Sequence, residues 1–233
     1  MPMDDFVKLL DAISRLIGAL ALPVVVLFVL IRFGPSLREF FKNLNEFTVK
    51  GVGFEASAKR KQAEAAGALV AAAVSRGADG GTTESVTRDA AAAATAASEA
   101  VTPKIVRQAG KATVLWVDDR PDNNIHERHS LEALGVNFVL ATSTDDALEL
   151  LRQRRFDAII SDLGRGLGRK AGYTLLEGLR KSGDRTPFII YADSQAAEHR
   201  AEAKRKGALD ATNRPDELFR LVLSVIGRMP DTA

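Results

Sequence analysis

Val114–Asn124, which reads VLWVDDRPDNN, carries the most informative local pattern of the chain. A run of β-branched and aromatic residues, typical of a buried strand, ends directly in two carboxylates, Asp118 and Asp119. A helix is expected to start just after them. The stretch therefore predicts a strand that carries an acidic pair at its carboxyl end.

The same alternation of an apolar run with an amphipathic helical pattern repeats from Lys111 onward. Five such units predict a five-stranded parallel, doubly wound α/β domain of the flavodoxin-like type, in which helices cover both faces of the sheet. The strand-like runs are Ala112–Val117, Asn137–Thr142, Asp157–Ser161, Pro187–Ala192 and Ala208–Thr212. The helical patterns are Asn123–Leu134, Thr144–Arg154, Gly172–Lys181, Ala196–Lys206 and Pro215–Arg228.

Carboxylates follow the first and the third predicted strands. Strands one and three adjoin in this fold and ligands bind at the carboxyl ends of the strands, so Asp118, Asp119 and Asp162 are expected to converge. Unpaired, they repel one another and the pKa of one rises; a hard cation such as Mg²⁺ relieves the conflict. An acidic residue at a strand end is often only a cap, but a pair joined by a third Asp favours a metal site.

The segment Lys111–Met229 resembles the receiver domain of two-component response regulators. VLWVDD is similar to the first strand of that family with its acidic pair, FDAIISD to the third strand, and GALDATNRP to the last strand and its turn. The resemblance implies a signalling domain and not an enzyme. It also implies phosphorylation of Asp162 by a histidine kinase or a small phosphodonor.

The resemblance further implies how Mg²⁺ binds. Asp119 and Asp162 are direct ligands, the backbone carbonyl of Gly164 is a third, and Asp118 acts through water.

Two positions depart from the family pattern. Ala192 stands where the family has a Thr or Ser hydroxyl, and Ser194 replaces it only if the loop is remodelled. Arg214 stands where the family has a phosphate-contacting Lys, with the same charge but a different shape. These departures support an alternative: a pseudo-receiver that serves as an adaptor or oligomerisation module and is not phosphorylated. A third interpretation, a hydrolase that uses the three Asp residues, is not favoured because the sequence offers no general acid for it.

The loop 164–172 is rich in glycine and basic residues, among them Arg165, Arg169 and Lys170. It is expected to be a solvated surface loop; the alternative is a mobile basic lid over the acidic site.

Near the start of the chain, Leu16–Ile31 contains no charge and is bracketed by Arg15 and Arg32. Sixteen helical residues rise about 24 Å, and the flanking arginines can extend toward the headgroups. Residues 1–34 are therefore predicted to hold a single transmembrane helix, with a buried core helix as the alternative. The basic residues that follow predict a protein of the cell inner membrane whose C-terminal domain lies in the cytoplasm.

Between the membrane segment and the receiver-like domain, 111–233, two further segments are expected. Residues 35–62 form a basic juxtamembrane segment in which Glu46–Ser57 suggests a short hairpin. Residues 63–110 are rich in Ala and Gly and are expected to form a partly helical, flexible linker; helices that pack between copies are the alternative.

Composition limits the partners. The chain has no cysteine, which excludes disulfides and zinc-thiolate sites, and its net charge of +2 gives no indication of nucleic-acid binding. No DNA-binding domain is expected, so the output is expected to be a contact with a downstream protein or a change in the membrane-proximal region. Pro215–Arg228 is more apolar than one helix face requires, which suggests a homo-oligomer.

Overall fold

The computed structural model describes residues 53–78, 81–165, 170–192 and 197–229. Within these ranges five parallel strands form one sheet in the order β2-β1-β3-β4-β5. The strands are β1 Thr113–Val117, β2 Asn137–Ala141, β3 Ala158–Ser161, β4 Phe188–Tyr191 and β5 Asp210–Thr212. The helices are α1 Gly53–Ala78, α2 Thr83–Ala100, α3 Pro103–Ala109, α4 Ile125–Glu132, α5 Thr144–Gln153, α6 Ala171–Lys181, α7 Ala197–Arg205 and α8 Pro215–Ile226. The predicted five-stranded parallel α/β fold is confirmed.

The central strand β1 shows why its sequence is a continuous apolar run. Val114 and Trp116 belong to the core under α4 and α8, whereas Leu115 and Val117 belong to the core under α5 and α6. All four side chains are at most 1% exposed. A strand that is covered on both faces needs apolar residues at every position, and this one has them.

A third layer, made of α1, α2 and α3, lies outside α4 and α8; we call it the helical layer. Helix α1 packs against α2 and α4, and both α2 and α3 pack against α8. The small side chains of the helical layer allow its helices to approach the domain closely. Leu69 of α1 and Ala93 of α2 are therefore fully buried in the same core as the sheet.

The helical layer corrects the prediction of a flexible linker at 63–110. Thr82 and Thr102 cap α2 and α3, each accepting a hydrogen bond of 3.2 Å from the backbone three residues on. The Ala blocks then bury against this chain's own receiver-like domain. Contact with α4 and α8 supplies the core that the segment lacks by itself.

The predicted hairpin is wrong where it can be compared, because Gly53–Ser57 is the first part of α1. The remainder of that hairpin and the predicted membrane segment Leu16–Ile31 lie outside the described residues. Among the helices that the structure describes, none is long and apolar enough to cross a membrane.

The surplus apolar surface of Pro215–Arg228 also has a partner inside the chain. Phe219 and Val222 of α8 are buried, as are Val225 and Ile226, in the core that joins the sheet to the helical layer. The surplus that suggested self-association is therefore covered by α2 and α3. A helix packed between two layers needs two apolar faces.

Candidate functional site

The parallel register of β1 and β3 brings the acidic residues together. Val117 pairs with Ser161, so Asp118 and Asp162 are the next residues on neighbouring strands. The backbone N–H of Asp162 donates to the carbonyl of Val117 at 2.9 Å, which extends the ladder to the site. One carboxylate oxygen from each of Asp118, Asp119 and Asp162 lies within 4.8 Å of the others.

Asp118 is the buried member of this acidic triad, with 5% of its surface exposed. Its Oδ1 accepts a hydrogen bond of 2.8 Å from the backbone N–H of Arg120. Its Oδ2 accepts a bond of 2.6 Å from Nδ2 of Asn124, in the 3₁₀ turn that precedes α4. Both oxygens are therefore held in position by protein donors.

Asp162 has a pKa that is raised to about 6. Burial is the main cause and the negative charge of Asp118 adds to it; hydrogen bonds from the backbone of Leu163 and Gly164 and the charge of Arg165 oppose the rise. The carboxyl is thus more basic than an ordinary Asp, while it is still mostly ionised at neutral pH.

A buried cation, Arg165, lies beside the acidic triad. Its guanidinium donates to Ser161 Oγ at 2.6 Å, to the Asp162 carbonyl at 2.8 Å and to Thr144 Oγ1 at 3.0 Å. Only 6% of Arg165 is exposed, which corrects the expectation of a solvated loop at this residue. Residues 166–169 lie outside the described ranges. Burial lowers the pKa of Arg165, and the triad's negative charges oppose this shift.

The donor set of the acidic triad fits Mg²⁺. Given metal–oxygen distances of about 2.1 Å, opposite ligands of an octahedral Mg²⁺ ion lie about 4.2 Å apart and adjacent ligands about 3.0 Å apart. Three carboxylate oxygens within 4.8 Å of one another would meet that geometry after the side chains close in on the ion, or with one carboxylate bound through a water. Oxygen ligands are also the type that this ion prefers.

Gly164, Ala192 and Ser194 are three further residues that the sequence predicts for the site. The backbone of Gly164 hydrogen-bonds the Asp162 carboxylate, and the role of its carbonyl as a metal ligand stays a prediction. Ala192 follows β4, is partly buried and lines a small cavity with Thr212. Ser194 lies outside the described residues.

Arg214, the residue before α8, is engaged with carboxylates that do not belong to the acidic triad. It pairs with Asp216 of α8 at 3.1 Å and with Asp89 of α2 at 3.3 Å. These charges raise the pKa of Arg214, the hydrogen bond to Asp216 first. Arg165, and not Arg214, is the cation whose charge acts on Asp162.

Sequence reasoning missed two contributors to the site. The sequence shows Arg165 only as one of several basic residues of the loop that follows Asp162. Asn124 ends the stretch Val114–Asn124 without a pattern of its own, and its nearness in sequence to the acidic pair is the one signal that could have identified it.

Comparison with known proteins assigns the domain that holds this site. Residues 114–225 match the family model of the response regulator receiver domain. This part of the chain, built on β1–β5, therefore has the sequence pattern and the fold of a response regulator receiver domain, whereas α1–α3 precede the matched residues.

Two curated proteins illustrate the match. The chain is 30% identical over 112 residues to the transcriptional regulatory protein ZraR of Salmonella typhimurium, covering 48% of this chain and 25% of that protein. It is 36% identical over 83 residues to the Regulator of RpoS of Escherichia coli, covering 36% and 24%. The chain thus spans about a quarter of the length of these relatives.

Solved receiver domains are similar to about half of the chain. The Francisella response regulator 1452 receiver domain is 24% identical with a TM-score of 0.45, covering 50% of this chain and 97% of that one. Chemotaxis response regulator CheY4 of Vibrio cholerae is 26% identical with a TM-score of 0.43, covering 49% and 98%.

Proposed function

We propose that this protein is a signalling receiver that accepts a phosphoryl group on Asp162. The observation that carries the proposal is the acidic triad, in which Asp118, Asp119 and Asp162 present oxygens within 4.8 Å of one another at the carboxyl end of a parallel sheet. The phosphodonor is the phosphohistidine of a histidine kinase or a small acyl phosphate or phosphoramidate.

In the proposed reaction an Oδ of Asp162 attacks the phosphorus of the donor. The O–P bond of an aspartyl phosphate forms as the P–N or P–O bond of the donor breaks; the leaving imidazole or ammonia takes up a proton, whereas the carboxylate of an acyl phosphate leaves as an anion. The raised pKa of Asp162, about 6, supports a nucleophile that is ionised at neutral pH but more basic than an exposed Asp.

Mg²⁺ bound at this site would neutralise the charge of the phosphoryl group during transfer. Asp119, Asp162 and the carbonyl of Gly164 would hold it directly, and Asp118 through water. The buried guanidinium of Arg165 adds a second, fixed positive charge beside Asp162.

The test is incubation of the 233-residue chain with Mg²⁺ and acetyl phosphate, followed by intact-mass and peptide mass spectrometry. We expect one added phosphoryl group, located at Asp162 and absent from Asp162→Asn or after chelation with EDTA. Glu149→Gln, which alters an exposed acid of α5, is the matched control and keeps the modification. Modification that persists in Asp162→Asn contradicts the proposal.

A second candidate is an unphosphorylated adaptor. It is favoured by Ala192, which offers no hydroxyl, and by Arg214, which pairs with Asp216 and Asp89. In that case the same incubation leaves the mass unchanged with every phosphodonor, and the receiver acts only as a binding module.

We also propose that Leu16–Ile31 anchors the protein in the inner membrane as a single span, with the receiver in the cytoplasm and a downstream protein as the recipient of the signal. The uncharged run and the basic residues after it support this orientation. Alkaline extraction of membranes and a C-terminal reporter fusion test it. Release by alkali, or a reporter active only outside the cytoplasm, contradicts it.

A further inference from the structure

Arg76 belongs to α1, outside the receiver domain, yet it reaches the edge of the acidic site. Its Nη2 donates to Oδ1 of Asn124 at 2.9 Å, and its Nη1 donates to the carbonyl of Asn213 at 3.3 Å. Asn124 in turn donates to Asp118. A single side chain therefore links the helical layer to the residue that holds the buried carboxylate.

The chemistry of an amide makes this link directional. The Asn124 side chain has one acceptor end and one donor end, and a guanidinium can only donate. Because Arg76 occupies the acceptor Oδ1, the NH₂ end of Asn124 is turned to Asp118, where Nδ2 lies 2.6 Å from Oδ2. Without the guanidinium the amide keeps only one of these two bonds, that to Asp118, and the donor to the carboxylate is held less firmly.

The Arg76 guanidinium is itself locked in place. Its Nε donates to Oε1 of Glu127 at 3.0 Å, and Glu127 is only 3% exposed. The same Oε1 accepts a bond of 2.7 Å from the hydroxyl of Tyr191, and the guanidinium lies 4.2 Å from the centroid of the Tyr191 ring. A cation with these partners has little freedom to leave Asn124.

A second contact attaches the layer at the same end of the sheet. Asp89 of α2 pairs with Arg214 at 3.3 Å, next to the Asn213 carbonyl that Arg76 contacts. Asn213 and Arg214 directly follow β5. The helical layer is thus fastened where the carboxyl ends of the strands form the site.

We propose that Arg76 is a positioning residue for the acidic triad, acting on Asp118 through Asn124, so that the docked helix α1 completes the site of the receiver domain. The inference rests on the proposed function insofar as it concerns Mg²⁺ binding. According to this proposal, the functional unit includes the C-terminal end of α1 in addition to residues 114–225.

The experiment compares the 233-residue chain, kept in mild detergent where it requires one, with Arg76→Met, Arg76→Lys and Arg220→Met. Arg220→Met is the matched control, because it breaks the exposed 2.9 Å pair of Arg220 with Glu99, which joins the same layer to α8 away from the triad. Calorimetry measures the Kd for Mg²⁺. We expect Arg76→Met to weaken binding about tenfold, Arg76→Lys to restore part of it, and Arg220→Met to leave it unchanged.

A second readout does not need the metal. In metal-free protein, NMR signals of the Asn124 side-chain amide and of the Asp118 carboxyl carbon should shift in Arg76→Met and remain in place in Arg220→Met. If the unsubstituted chain binds no Mg²⁺, the proposed function fails, while these signals still decide the role of Arg76. Should Arg76→Met not fold, the same signals in Arg76→Lys decide it.

Linkage supplies a third readout that a merely structural contact would not change. If docking of α1 strengthens Mg²⁺ binding, Mg²⁺ must stabilise the docking equally, so it should slow hydrogen exchange of α1 amides in the unsubstituted chain but not in Arg76→Met. Unchanged Asn124 and Asp118 signals together with an unchanged Kd in Arg76→Met overturn the proposal.

Discussion

Arg165 donates a hydrogen bond of 2.8 Å to the main-chain carbonyl of Asp162, and its guanidinium is buried beside the acidic triad. The protein itself therefore supplies a fixed positive charge at the site, separate from the charge of any bound metal ion. Its charge opposes the rise in the pKa of Asp162, and it ties the residue after β3 to Thr144 of α5.

Replacing this cation should tighten metal binding. Arg165→Met removes a positive charge that repels Mg²⁺, and we expect the Kd for Mg²⁺ to fall about tenfold, given the strength of charge pairs at short range in a partly buried site. Calorimetric titration measures it. Arg152→Met, which removes an exposed charge from α5, is the control and should leave the Kd unchanged. Weaker binding in Arg165→Met would show that Arg165 organises the ligands more than it competes with the ion.

The raised pKa of Asp162 predicts a pH-dependent stability. In the native state the group titrates near 6, against an ordinary 3.8, so the native state binds more protons than the unfolded state between these values. Stability therefore falls as pH rises through this window, and the loss is complete about one pH unit above the native pKa.

We accordingly expect Asp162→Asn to raise the free energy of unfolding of metal-free protein by about 1 kcal/mol at pH 7, discounted for the partial exposure of the carboxyl. The gain should vanish near pH 4. Urea unfolding in EDTA at both pH values tests it, and added Mg²⁺ should stabilise only the unsubstituted chain. A variant that is less stable at pH 7 would falsify the proposed electrostatic strain.

Gly172, in the first turn of α6, makes a close approach to the site. A Cβ there would lie 2.6 Å from the Asp162 carbonyl and 3.1 Å from Cα of Leu163, both of which belong to the backbone. We expect Gly172→Ala to lower the free energy of unfolding by about 2 kcal/mol and to weaken Mg²⁺ binding, because the chain after β3 must shift.

Gly178 of the same helix is the matched control. Nothing lies within 4 Å of a Cβ at this position, so Gly178→Ala should stabilise the protein by about 0.5 kcal/mol or more through helix propensity. Denaturant unfolding measures both changes. Equal effects at the two positions would contradict the close approach at Gly172.

The helical layer should unfold together with the receiver domain. Leu69 of α1 is fully buried in the core shared with the sheet, so Leu69→Ala should cost about 3 kcal/mol and keep a single unfolding transition. Leu140→Ala on β2, where the side chain is 44% exposed, should cost about 0.5 kcal/mol or less. Thermal unfolding followed at Trp116 and by circular dichroism tests this, and two separate transitions would show that the layer folds independently.

Much of the receiver domain was predictable because its signals are local. Apolar runs and helical periodicity depend on neighbours a few residues apart, and the convergence of Asp118, Asp119 and Asp162 follows from the order of strands in a parallel sheet. The family resemblance added the roles assigned to those residues.

The helical layer was not predictable in the same way. Alanine favours helix but buries little apolar surface, so its pattern does not reveal whether another layer covers it. The lone charge of Arg76 within the Ala-rich run 65–78 was a weak signal, and its partner Asn124 lies 48 residues further along the chain.

The amino-acid sequence by itself determined the five βα units, their parallel order and the meeting of three carboxylates, because each follows from short-range periodicity and from general rules of sheet topology. Only the tertiary structure decided that Arg165 is a buried counter-charge, that Arg214 pairs with Asp89 and Asp216, and that Arg76 reaches the site through Asn124. The contacts of Arg214 with Asp89 and of Arg76 with Asn124 join residues distant in the chain, and the direction of a long cationic side chain is set by the partners that packing places around it.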